Sequence, residues 1–430
     1  MTEQPVARVS GHRRWRLAVL ATALIAVAGI PTSAQARTAA DSGGHVAEID
    51  PGQQLTGLAG SVLTRPRAVR GTDGRFHIPY ELVLTGATTF AVEVEQVEVR
   101  DAKTQRVLLS LAGPDLRSRM NPVGDTPAGV PPVYPPPLPS ATLLAPSGSA
   151  VVWLDVVVQR KADLPKALEH LVVSSIRRPG EESTRFSSLV GRVSLRPRKP
   201  LPLGPPVGSG IWVAAEGCCD DPTHHRRGLL AVDGNWVVPQ RFAIDWIKLD
   251  ESHRAWVGDP TQLSSYFSYG EPLIAAADGT VVVARDGVAD TPPPDDPPPP
   301  PLAGLPGNHV TLRIRPGVYL LYAHMQPGSV RVRVGQRVRR GQVLGLLGNS
   351  GASATPHCHV QVQIGQSFVS DGLPFVFRRF QLLGQITTVF WDGDLGLRPN
   401  GQLTFVPSPE SGTRRHEMPL NHNVVRFRTR

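Results

Sequence analysis

The chain has 430 residues, with 45 Lys and Arg against 36 Asp and Glu and a formal charge of +9 with histidines neutral. That balance favours polyanionic surroundings. Nucleic acid, the other usual partner of a basic chain, is set aside because the sequence shows an export signal and neither an aromatic stacking motif nor a basic helix. The length allows two domains, and three cysteines leave at least one unpaired in a monomer.

Arg13, Arg14 and Arg16 precede an apolar run, residues 17 to 30, and then Ala34-Gln35-Ala36. These are the three regions of a secretory signal peptide, spanning residues 1–36 with cleavage expected after Ala36. The run is short for a spanning helix and no other segment approaches the needed length, so no integral membrane span is expected after cleavage. An uncleaved anchor is the alternative. No cysteine follows the run, which argues against a lipid anchor. The protein is therefore expected to be secreted, or periplasmic within the cell envelope.

Residues 45–200 read as short β runs separated by polar turns, among them residues 76–84, 89–99, 107–111 and 150–158. Regular strands with few helix signals predict a β-sandwich without a catalytic constellation, an accessory domain that docks, orients or shields its neighbour. Proline-rich stretches punctuate the map. Residues 131–139 form a loop within this domain, 196–202 a linker, and 292–301 a stiff surface insertion in the next domain.

The second domain, residues 205–390, carries the chemistry. A glycine-rich turn at 345–351 leads to His357-Cys358-His359 on an apolar strand, where period-two alternation puts both imidazoles on one face and Cys358, Val360 and Val362 on the other. Cys358 is read as a small buried core residue. A third histidine, His324, ends the strand 318–324. Asp245 lies within the short apolar stretch 241–246, where an unpaired carboxylate would cost several kcal/mol. Three imidazoles and one carboxylate match the donor types of a catalytic zinc, which keeps one position open for water. Other histidines carry less weight: His309 is read as structural and His253 as loop surface. Residues 391–430 are expected to form a C-terminal tail with a short strand at 403–406.

The runs 322–329, 334–345, 348–351 and 356–359 follow in one order and at close spacing, and over residues 210 to 385 the chain resembles the lysostaphin/LytM-type zinc endopeptidases that cut peptidoglycan cross-bridges. The resemblance implies a mainly β protein: the sandwich followed by an antiparallel β-sheet metallopeptidase domain with a groove. It implies Zn2+ as cofactor, peptidoglycan peptides as partners, Asp245 and His359 as metal ligands, and His324 and His357 as catalytic histidines.

One departure matters. The family places a ligand histidine four residues before the aspartate, and that position holds Arg241, whose guanidinium cannot bind zinc. His224 and His225 are the nearest candidates to replace it. His225 is favoured by its resemblance to a subgroup with a histidine directly ahead of such a basic segment and apolar strand; otherwise the segment is an exposed basic loop. Arg241 is then expected to bind a substrate carboxylate or developing oxyanion with its planar fork. The arginine also leaves open a zinc-free, non-catalytic member that binds cell wall or activates another wall hydrolase. A lipoyl-type carrier, suggested by the hairpin 334–344, is set aside because the only lysine of the domain, Lys248, lies far from it.

Overall fold

The structure, a computed structural model, describes residues 55–123, 142–219, 223–293, 301–387 and 401–428. The signal segment, the proline-rich loop 131–139, most of the proline run 292–301 and residues 391–400 lie outside the described residues. Within them the protein is mainly β, its strands pairing antiparallel with one parallel exception, Leu201–Leu203 with Phe375–Phe377. No described helix is long and apolar enough to cross a membrane.

The first half forms two five-stranded sheets. Strand Phe76–Gly86 is the centre of one, flanked by Leu58–Val62 and Ser149–Val158; Val92–Asp101 and Ala167–Ile176 form the middle of the other. Alternate residues Ile78, Tyr80, Leu82 and Leu84 face Val92, Val94, Val97 and Val99 in one shared core. A register shift between Val94 and Gln96 moves the alternation by one place, which keeps valines inward on both sides of it. The sandwich has a second buried face. Val151 and Trp153 pack with Leu229 and Val238 of the second half, so Phe76–Gly86 and Ser149–Val158 read as nearly continuous buried runs. Residues 55–430 accordingly form one compact unit.

The second half is built on an eleven-stranded sheet. Four of its strands stand side by side in the order Val318–Met325, Cys358–Gln363, Ile244–Leu249, Gly210–Glu216. Asp245 is directly opposite His359 on one neighbour and Glu216 on the other. One face of these strands, with Trp212, Ala214, Ile244, Trp246, Tyr322, Cys358 and Val360, enters the larger core cluster. The other face carries Asp245, His359 and Gln361 beside a smaller apolar cluster that includes Val213, Ala215 and Ile247. Between Gly210–Glu216 and Ile244–Leu249 in the chain comes a hairpin, Leu230–Val232 with Asn235–Val237, turned by Asp233 and Gly234 at φ 49° and 76°.

Of the tail expected at 391–430, the described residues 401–428 contribute two strands to this sheet. Strand Asn423–Phe427 lies between Gly210–Glu216 and Phe380–Ile386, and Phe405–Arg414 pairs with the latter. Val424, Val425 and Phe427 are buried, with Val425 and Phe427 in the larger cluster. The short run Val424-Val425-Arg426-Phe427 was overlooked because its basic neighbours mask its apolar character. A chain ending at residue 390 is expected to lose the cooperative thermal transition of the full protein, because the sheet would open beside Gly210–Glu216. Circular dichroism melting of the truncated chain checks this, and a melting temperature within a few degrees of the full chain would contradict the placement.

Candidate metal centre

His225, Asp245 and His359 meet in the interior, each only 1% exposed, with their ligand atoms within 4.8 Å of one another. They reach this point from different local structures. Asp245 and His359 are cross-strand partners, so the sheet register alone brings them together. His225 stands on the four-residue helix His224–Arg227, capped by Thr223, whose hydroxyl accepts from the Arg226 amide.

The back of each imidazole is tied. His225 Nδ1 lies 3.1 Å from the Glu216 carbonyl, which only accepts, so Nδ1 carries the proton and Nε2 the lone pair. That Nε2 is buried without a hydrogen bond, 3.2 Å from Asp245 Oδ2. His359 Nε2 lies 2.9 Å from Gln361 Oε1, whose amide orientation is set by donation to Phe368 O and Gln363. This leaves His359 Nδ1 facing Asp245 Oδ1 at 2.9 Å. Ligands around a tetrahedral zinc at about 2.1 Å stand roughly 3.4 Å apart, and backside hydrogen bonds of this kind fix the tautomer of ligating histidines. An orphaned nitrogen, a second nitrogen and a carboxylate converging in a buried place fit a zinc with an open position.

Electrostatics point the same way. Burial alone would raise the Asp245 carboxyl, but His225, His357 and His359 hold it well below the usual range, so it is ionised. Burial lowers His225, against the opposing pull of Asp245, which favours the neutral imidazole that a metal needs.

His324 and His357 flank this group with ring centroids 4.7 Å apart. His324, next to last in its strand, has φ 61°, a left-handed conformation uncommon for a residue with a side chain, and its Nδ1 is 2.8 Å from the Ser350 carbonyl. The glycine-rich turn makes that contact possible. Gly351 has φ +84°, and a Cβ there would sit 2.4 Å from the Gly307 nitrogen. Ser350 is itself pinned, its Oγ donating to Met325 O at 2.7 Å and accepting from the Asn308 amide at 2.9 Å. His357 Nδ1 lies 2.9 Å from Thr355 O, and its Nε2 is 3.7 Å from Asp245 Oδ2.

Arg241 is placed elsewhere. Only 4% exposed, it puts Nε and Nη2 on the two oxygens of Glu81 and donates from Nη1 to Asp371 Oδ1 at 2.8 Å. The fork expected to hold a substrate carboxylate is thus spent on a carboxylate of the sandwich, because a buried guanidinium must be paired. His224 turns away from Asp245, its Nδ1 2.8 Å from Glu216 Oε2. His309 bonds Gly307 O through Nδ1, and Lys248 pairs with Glu271. Cys218 and Cys219 form a vicinal disulfide, while Cys358 is buried and unpaired in the core. Sequence reading missed Glu216, Gln361 and Glu81. Gln361 had a signal, being two residues from His359 and so on the same face; Glu81 had none.

Residues 264–370 match the family model of peptidase family M23, a span that includes His324, His357 and His359 but neither His225 nor Asp245. An uncharacterized metalloprotease of Haemophilus influenzae is 35% identical over 97 residues, 23% of this chain and 17% of that protein, so the match spans about a sixth of the relative's length. The catalytic domain of the antimicrobial peptidase lysostaphin from Staphylococcus simulans shares 20% identity over 40% of this chain and 88% of that one, with a TM-score of 0.21. A zinc-containing peptidase from Vibrio cholerae shares 17% identity over 49% and 58%, with a TM-score of 0.20.

His225→Ala is expected to weaken zinc binding by at least a hundredfold in calorimetric titration, and His224→Ala by less than threefold. Equal losses in both variants would remove His225 from the ligand set.

Proposed function

We propose that this chain, which carries a peptidase family M23 domain at residues 264–370, is an exported zinc metallopeptidase that hydrolyses peptide cross-links of peptidoglycan. The observation that carries the reading is the buried convergence of His225 Nε2, Asp245 and His359 Nδ1 beside two further histidines. Zinc bound there would supply a Lewis acid, lowering the pKa of water to about 7 and polarising the scissile carbonyl.

The remaining work falls to residues of the chain. His324 and His357 each donate Nδ1–H to a backbone carbonyl, so their basic atom is Nε2. Burial, followed by the neighbouring His357 and His359, keeps His324 well below its ordinary pKa, so its ring is neutral. One imidazole takes the proton of the attacking water at Nε2 and the other hydrogen-bonds the oxygen that becomes negative. The proton is later returned to the leaving amine. The fixed backbone partners hold both rings ready without reorganisation at the moment of reaction.

Peptidoglycan as substrate is supported by the signal-like N-terminus, the basic charge and the family resemblance. The zinc-free reading drew on Arg241. His225 beside Asp245 and Arg241 paired with Glu81 favour the zinc reading over it.

The mature chain is expected to release muropeptides from purified wall, detected by mass spectrometry, and to stop when a chelator removes its metal. His357→Ala should keep about one zinc per chain and lose turnover by about a thousandfold, in the range of a missing acid–base group. A His357→Ala protein that is folded but metal-free would reverse the roles of His357 and its neighbour.

A further inference from the structure

The metal ligand His225 has a weak local support. A four-residue helix gains almost nothing from its own hydrogen bonds. Its own half gives it the Thr223 cap, the His224–Glu216 pair and a donation from Arg226 Nε to Cys219 O at 2.9 Å; the rest of its support lies in the sandwich. Arg226, the next residue, is buried and donates from Nη1 to Glu81 Oε1 at 2.6 Å and from Nη2 to the Tyr80 and Leu154 carbonyls at 2.9 Å each. Its guanidinium lies 5.2 Å from the centroid of the Trp153 ring. Arg227 reaches the same domain, donating to Asn121 Oδ1 at 3.0 Å and Ser118 O at 3.1 Å.

Glu81 also holds the approach to the second ligand. Its two oxygens take the fork of Arg241, four residues before Asp245. One buried carboxylate therefore pairs with two guanidinium groups, one adjacent to His225 and one ahead of Asp245, and Asp371 completes a cluster of two anions and two cations. Such a cluster is neutral as a whole and costly when one member is removed. Asp245 has two neighbouring strands to keep it in place, whereas His225 stands on a four-residue helix with the Glu216 carbonyl behind its ring. The burden of the clamp therefore falls on His225.

We infer that Glu81 is a positioning residue of the metal centre: through Arg226 and Arg241 the sandwich domain sets the place of His225 Nε2, and with it zinc affinity. The domain is on this account a structural half of the site. The inference rests on the zinc-peptidase reading and adds to it a residue more than 140 positions away in the chain.

The test is zinc affinity of folded protein, measured by competition with a chromophoric chelator well below the melting temperature. Glu81→Gln, which removes the charge and keeps the shape, is expected to weaken zinc binding at least tenfold. Glu81→Asp keeps the charge but is too short to reach both guanidinium groups, and is expected to fold and show a smaller loss. Leu82→Ala is the control. It hollows the core of the same strand without touching the clamp, so it should lower the melting temperature and leave zinc affinity within twofold of wild type. Wild-type affinity in both Glu81 variants, or an equal loss in Leu82→Ala, would overturn the positioning role. A wild-type chain that binds no zinc would instead overturn the zinc reading before any variant is compared.

Discussion

A carboxylate buried in the middle of a β-sheet is the constraint around which this protein is arranged. Asp245 has apolar residues before and after it on its strand and is 1% exposed, so its charge has no access to bulk water. Taking such an ion out of water costs several kcal/mol unless cations or donors replace the solvent. Three imidazoles crowd it, yet a neutral imidazole is a poor substitute for a positive charge, and one of them presents a nitrogen with no hydrogen bond at all. A divalent cation, as proposed for this site, would complete the arrangement. Each partner serves that end: the register that sets His359 opposite, the bonds behind His225 and His359, and the strand ends that bring His324 and His357 alongside.

A second buried carboxylate, Glu81, solves the same electrostatic problem with arginine in place of metal. Both partners are guanidinium groups, whose planar forks meet its oxygens and whose remaining N–H groups reach backbone carbonyls and Asp371. This pairing joins the two halves of the chain, together with the apolar cluster around Trp153. The two halves thus share a buried charge cluster as well as an apolar core within one compact unit.

Much of the site was legible because its logic is local. Alternation along 357–363 showed which histidines share a face, and glycines at 348 and 351 marked a turn that must approach other backbone closely. Asp245 stood out as a charge in an apolar run. Short, regular strands predicted the sandwich, while the antiparallel metallopeptidase domain followed from the family resemblance. Arg241 was legible only as a gap, since its partner sits 160 residues earlier and no spacing links them. The strand Asn423–Phe427 was hidden for a related reason: its place between two other strands is a property of the sheet, and its basic flanks resemble a surface tail. Long-range pairing decides both, and a sequence shows such pairing only when a recognisable periodicity accompanies it.

X-ray absorption spectroscopy of the zinc-loaded mature protein addresses the central claim most directly, because it counts and types the atoms around the metal. Two imidazole nitrogens and one carboxylate oxygen should be found at about 2.0–2.2 Å, with one further light atom from water. Sulfur at about 2.3 Å, a single imidazole, or a shell of oxygens alone would contradict a centre built from His225, Asp245 and His359.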